Sequence, residues 1–171
     1  VTAQPDLEAA LRDMTIGIDF GTTNTVVGLA APDRPTRVVT FDHGDILHDV
    51  YRSAICFEKV MEQRGFSVET SGGPWAIEKY FSSPNEVRFI LSFKSHVASQ
   101  LFEKTRVFSK VLEYSDLMAE FIAALKANAD VDLDAAGGPV ICGRPVAFVG
   151  HSPNDDLAMA RYDDAYRQAG F

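Results

Sequence analysis

Asp19, Gly21, Thr22, Thr23 and Asn24 stand almost side by side in the stretch TIGIDFGTTNTVVGLA, residues 15–30. That mix of residue types suits an anion. A glycine without a Cβ lets a phosphate approach the backbone closely. Successive amides of Thr22, Thr23 and Asn24 can converge on one oxyanion, and the hydroxyls and side-chain amide add neutral hydrogen bonds. An aspartate beside a triphosphate needs a cation between them. Mg²⁺ held through water fits, because it gives up its hydration reluctantly. The alternative is an ordinary hairpin turn, although its usual Asn-Gly or Asp-Gly signal is absent. On the residues alone, both readings stay open.

Other chemistries find less support. The Asp-Phe-Gly triplet at 19–21 has Leu-Arg-Asp upstream, but not the histidine and downstream asparagine of a protein-kinase catalytic loop. Neither a G-x-x-x-x-G-K-[ST] loop nor a G-x-G-x-x-G fingerprint occurs. His43, His48, His96 and His151 are scattered and form no HExxH pair, so a structural zinc site is not expected. Cys56 and Cys142 lie in apolar, strand-like runs outside any CxxC spacing. They are expected as buried reduced thiols, with a disulfide or redox pair as the alternative.

The chain has 171 residues, enough for one domain or one lobe of a larger one. It is 46% apolar and 23% charged, a globular balance. A net charge of −8 without a basic stripe argues against nucleic acid as a partner. No apolar run approaches the roughly 20 residues of a membrane span, and the acidic opening VTAQPDLEAALRDM lacks the order of a signal peptide. These features lead us to expect a cytoplasmic protein with no membrane or nucleic-acid partner.

Residues 5–14 have helical periodicity at Leu7, Ala10, Leu11 and Met14. Strands are expected over 15–20, 25–31 and 36–42, with turn residues APDRP between the last two. Another is expected over 53–58. SGGPWAIEKYF reads as a helix with Pro74 in its first turn, and NEVRFILSFKSHVASQLF as a strand running into a short helix around Lys94. A helix over 116–129 has Ser115 as its expected cap and an apolar stripe of Leu117, Phe121, Ala124 and Leu125. DLDAAGGP is expected as a loop, and 139–149 as an apolar run broken at Gly143-Arg144-Pro145. A last helix starts near Ser152-Pro153-Asn154 and stops at Gly170, a left-handed C-cap. Strands that begin as hairpins and then alternate with helices predict an α/β fold with a mixed sheet.

IGIDFGTTNTVVG resembles the first phosphate motif of the actin-like ATPase superfamily, which includes sugar kinases, actins and DnaK-type heat-shock chaperones. Two later stretches, RFILSFKSHVA and PVICGRPVAFVG with the helix ending YRQAGF, are similar to segments of the chaperone branch. The Gly-Arg-Pro-Val form looks closest to DnaK-like (heat-shock protein 70 family) chaperones of bacteria. The resemblance covers about residues 15–171. It implies the N-terminal lobe of a nucleotide-binding domain, an actin-like (ribonuclease H-like) half-domain with an inserted small α+β subdomain. Residues 1–44 would open the core lobe, 45–112 would form the insertion, and 113–171 would return to the core lobe.

The resemblance implies ATP or ADP with Mg²⁺ as cofactors. Asp19 would organise Mg²⁺ and water, and Gly21, Thr22, Thr23 and Asn24 would hold the β- and γ-phosphates. Lys94 would position the attacking water and stabilise developing charge. Pro145 would be the switch proline that relays nucleotide state. Read without the resemblance, Lys94 could equally be a lysine snorkelling from an apolar element, and Pro145 a strand terminator.

No second glycine-rich phosphate loop follows before Phe171. We therefore expect a fragment that is inactive alone. Its parent would be an ATP-hydrolysing chaperone with unfolded clients and co-chaperones as partners. The absent next strand would leave Val140–Cys142 on an open sheet edge, a route to self-association. A sugar-kinase-type phosphotransferase and a non-catalytic actin-like filament or interaction module are the alternatives.

Overall fold

The computed structural model describes residues 11–145, 147–148 and 152–171. Most of the expected 5–14 helix lies outside the described residues, as does part of the 139–149 run. The main sheet is built from β1 (Thr15–Phe20), β2 (Asn24–Ala31), β3 (Arg34–Val38) and β12 (Val140–Gly143), in the order β12-β1-β2-β3. β1 runs antiparallel to β2, which runs antiparallel to β3. β12 returns parallel to β1, with Ile16 opposite Val140 and Asp19 opposite Gly143. A two-residue strand, β6 (Tyr51–Arg52), adds to the start of β2. The fold is thus α/β around a mixed sheet, with three α-helices among the described residues.

The period-two alternation of β1 decides which residues meet the core. Ile16, Ile18 and Phe20 are buried, whereas Asp19 between them is exposed. The buried face is covered by α2 (Tyr114–Asn128) through Leu117, Met118, Phe121, Ile122 and Leu125. α3 (Asp155–Gln168) adds Ala158, Tyr162 and Ala165.

The α2 helix begins two residues earlier than expected. Its cap is Glu113, whose side chain accepts from the N3 backbone while Asp116 accepts from the Glu113 N–H. Ser115 is not the cap but a buried residue inside the first turn. α3 is capped by Asn154, whose Oδ1 accepts from Leu157 N–H at 2.9 Å. It ends as expected at Gly170, with φ +85°. There Phe171 N–H donates to Tyr166 O and Gly170 N–H to Arg167 O, which closes the helix with a Schellman motif.

The expected third strand, 36–42, is in fact two: β3, and then β4 (Phe41–His43), which pairs with β5 (Ile46–His48). The break falls at Thr40. Its N–H and Oγ1 both donate to the Asp130 carboxylate, which also pairs with Arg37, and its carbonyl accepts from Asp130 N–H. A residue beyond the end of α2 thus takes the groups that would have continued the ladder.

Between β6 and α2 lies a second, antiparallel sheet, β8-β7-β9, made of β7 (Ala54–Glu62), β8 (Gly65–Gly72) and β9 (Val87–Leu91). α1 (Gly73–Ser82) packs Ala76 against Ala54 and Cys56. Pro74 sits in its first turn, as expected. Gly73 has φ +61°, and a Cβ there would lie 2.5 Å from the Tyr51 ring, so only glycine fits. After β9, a 3₁₀ turn, η1 (Phe93–His96), carries Lys94, and the hairpin β10–β11 (Lys104–Val107, Lys110–Glu113) leads into α2. Tyr51, Ile55, Phe57, Phe93, Val97 and Val107 from this middle segment join the same core cluster as β1, β2 and α2. The DLDAAGGP loop includes one 3₁₀ turn, Leu133–Ala135.

Candidate functional site

The link from β1 to β2 is a short loop, since Phe20 pairs with Thr25. Gly21 is required there for space. A Cβ would lie 2.2 Å from the Asn24 carbonyl oxygen, far inside contact distance. Thr22, Thr23 and Asn24 are exposed. Among the described residues, the N–H groups of Thr22 and Thr23 donate to no protein acceptor, and their hydroxyls make no hydrogen bond. Asn24 is oriented by Arg52, whose Nη1 donates to its Oδ1 at 3.0 Å. That contact takes up the carbonyl end of the side chain and leaves the amide NH₂ as its donor.

Lys94 enters from a different part of the chain. Ser92, in the left-handed region at φ 55°, turns β9 into η1. Lys94 is buried with 8% of its surface exposed, and its Nζ lies 5.3 Å from the Phe20 ring centroid. Among the described residues its Nζ makes no hydrogen bond and no ion pair. Burial pulls its pKa below the ordinary lysine range, while Cys142 and the Asp19 carboxylate act in the opposite direction. An ammonium with one aromatic neighbour, one carboxylate nearby and no donor–acceptor partner is an incomplete arrangement.

Asp19 and Cys142 complete the surroundings from β1 and β12. Asp19 faces away from the helices, opposite Gly143. Cys142 pairs with Ile18 and lies on the helix side. Its Sγ accepts from Tyr166 Oη at 3.0 Å, and burial raises its pKa. Both cysteines are free. Cys56 is buried with its thiol pushed up to about 11, whereas Cys142 is only half-buried, less enclosed than the sequence reading expected.

Six of the seven residues singled out in the sequence, Asp19, Gly21, Thr22, Thr23, Asn24 and Lys94, thus fall around the C-terminal end of β1. Pro145 is placed differently. It follows β12 by two residues, half-buried, and among the described residues no hydrogen bond joins it to the loop or to Lys94. Among the described residues no group of three or more His, Cys, Asp or Glu could hold a metal ion. No helix among them is long and apolar enough to cross a membrane.

Two residues of the site escape sequence reasoning. Arg52 and Ser53 carry no motif and sit in a polar loop-to-strand transition. Yet Ser53 is wholly buried and hydrogen-bonds Gly21 O at 2.6 Å through Oγ and Thr23 O at 2.9 Å through its N–H. Their one signal is the approach of β6 to β2, a pairing between distant segments. Compared with protein-family models and with curated proteins, the chain matches none.

Proposed function

We propose that this chain is the phosphate-binding lobe of an actin-like ATPase of the DnaK-like chaperone type, binding the triphosphate of ATP at residues 19–24 and Lys94. One observation carries this reading. A loop with unpaired amides, the Asp19 carboxylate and a buried, unpartnered lysine meet at the end of one strand, although Lys94 is remote in sequence from the rest. The sheet order supports it as well. Three consecutive antiparallel strands, with a fourth parallel to the first after a long insertion, suit the ribonuclease H-like half-domain implied by the resemblance.

The residues fit the group. Gly21 leaves the space that a Cβ would fill, the Thr22 and Thr23 amides are available as donors, and Lys94 supplies a positive charge near Phe20 and Asp19, where the loop begins. A single carboxylate suits a hydrated Mg²⁺, which is held mainly by substrate phosphates and neutralises their charge when bound. Lys94 Nζ would hold the attacking water in place and stabilise charge on the γ-phosphate. Removing a preorganised group of that kind costs roughly 10²–10³-fold in rate. The choice of the chaperone branch over a sugar kinase rests on Lys94 and on the Gly-Arg-Pro-Val stretch.

The test is an amide NMR titration of the 171-residue chain with Mg²⁺–ATP and, separately, with AMP. ATP is expected to shift residues 19–24 and Lys94 with a dissociation constant of about 1 mM or weaker, near −4 kcal/mol. AMP, which lacks the β- and γ-phosphates, is expected to leave them in place. Equal responses to the two ligands, or shifts confined to other parts of the chain, would overturn the proposal.

A further inference from the structure

The geometry points to Ser53 as a positioning residue that couples the phosphate loop to the lysine turn, so that an anion held at Thr22 and Thr23 meets Lys94 in a fixed place. This rests on the anion-binding reading above. The coupling runs through every polar group that Ser53 owns. Its hydroxyl donates to Gly21 O at 2.6 Å. A hydroxyl has one proton, so the 3.1 Å contact with Thr25 Oγ1 must have the Thr25 hydroxyl as donor. The result is a directed chain, Thr25 to Ser53 to the Gly21 carbonyl, in which each bond polarises the next.

The backbone of Ser53 completes the link. Its N–H donates to Thr23 O at 2.9 Å, and its carbonyl accepts from Ser92 N–H at 3.1 Å. Ser92 is the left-handed residue that sets the direction of η1 and hence of Lys94. One residue therefore holds two carbonyls of the loop on one side and the entry to the lysine turn on the other.

A purely structural role would need less. Ser53 has no exposed surface and is followed by Ala54, Ile55 and Cys56, all buried. An alanine there would satisfy the packing. What it would lose is the hydroxyl that fixes Gly21 O, and that carbonyl would then be left without its partner. The backbone bonds to Thr23 and Ser92 would remain, but without the hydroxyl the Ser53 backbone would no longer be fixed against Gly21, and the loop and lysine turn would lose their common reference point.

The experiment uses the 171-residue chain, inorganic tripolyphosphate and three variants. Ser53→Ala removes the hydroxyl. Ser53→Cys keeps a side chain of similar shape but replaces the hydroxyl with a weak donor. Asn154→Ala, at the α3 cap, is a comparably destabilised control. In the wild type, the Thr22 and Thr23 amides and the Lys94 Cε resonance are expected to titrate with one shared dissociation constant. In both Ser53 variants that constant weakens about tenfold, and the Lys94 resonance no longer follows the amides. Without ligand, Lys94 Cε is expected to move in both Ser53 variants and to stay in place in Asn154→Ala.

If both Ser53 variants keep the wild-type constant and the shared response, and lose only thermal stability, the coupling is refuted while the phosphate site stands. A wild type that shows no response at residues 21–24 refutes the site itself. An unmoved Lys94 resonance in the ligand-free Ser53 variants refutes the coupling whatever the titration shows.

Discussion

Replacing Lys94 with methionine should make this protein more stable while it loses its anion site. Lys94 retains 8% of its surface, and its Nζ finds no hydrogen-bond or ion-pair partner among the described residues. Methionine has a similar length and no charge, so it can occupy the same space beside Phe20. The substitution loses a cation–π contact worth roughly 0.5–1 kcal/mol and part of the attraction to Asp19. It also removes the desolvation cost of the ammonium, whose Nζ keeps some contact with solvent, so that cost is only part of the several kcal/mol of a fully buried ion. A net gain of about 1 kcal/mol follows, or roughly 2–4 °C in Tm for a chain of this size.

The pH dependence gives that prediction a second handle. Burial lowers the Lys94 pKa in the folded chain, whereas the unfolded value is near 10.4. Between the two values the unfolded chain binds more protons, so wild-type stability rises with pH across that window. Below the window the burial penalty is fully present, and above it the penalty is gone. The advantage of Lys94→Met should therefore be largest on the acid side and shrink through the alkaline window. Urea denaturation at a series of pH values measures it. A loss of about 1 kcal/mol or more in the variant would show that the lysine is a structural element rather than a poised charge, and so would an advantage that is unchanged at alkaline pH.

Three further outcomes are expected. Gly21→Ala drives a Cβ toward the Asn24 carbonyl and should cost roughly 1–3 kcal/mol in urea denaturation. It should also abolish the ATP-induced shifts, and retained shifts would show that the loop tolerates the crowding. Arg161→Leu should cost about 3 kcal/mol in a thermal melt, because the guanidinium donates to the carbonyls of His96, Val97, Ser99 and Phe102 and lies over Tyr114; a loss below about 1 kcal/mol would contradict that role. Asn154→Ala should cost about 1 kcal/mol by chemical denaturation, with hydrogen exchange accelerated at the start of α3 and unchanged in the main sheet.

Local chemistry made much of the fold legible. The β1 limits, the Pro74 start of α1, the strand-to-turn passage at Lys94 and the Gly170 cap all follow from residues that act on their immediate neighbours. What sequence reading missed depends on distant partners. Thr40 breaks the third strand because Asp130 takes its groups, and nothing near Thr40 announces that. β6 is two residues long, too short for any period to show, yet it brings Arg52 and Ser53 to the loop. Ser115 has the ordinary look of a cap, but the Glu113–Asp116 pair displaces it by closing a reciprocal box two residues earlier. The candidate site divides in the same way. Its loop could be read from residue types, whereas the supports beneath the loop could not.

Arg161 also has a consequence for how the protein is made. The lysine turn is tethered at its entry by the Ser53 carbonyl and beyond its exit by Arg161, which lies 65 residues after His96. Translation at about 5–20 residues per second leaves roughly 3–13 seconds between the emergence of the turn and that of its second anchor. During that interval the carbonyls of His96, Val97, Ser99 and Phe102 lack their donor, and the apolar side chains of Phe93 and Val97 await the α3 face of their core. The nascent chain therefore passes through a stage in which the loop has its support and the lysine turn has only one of its two anchors.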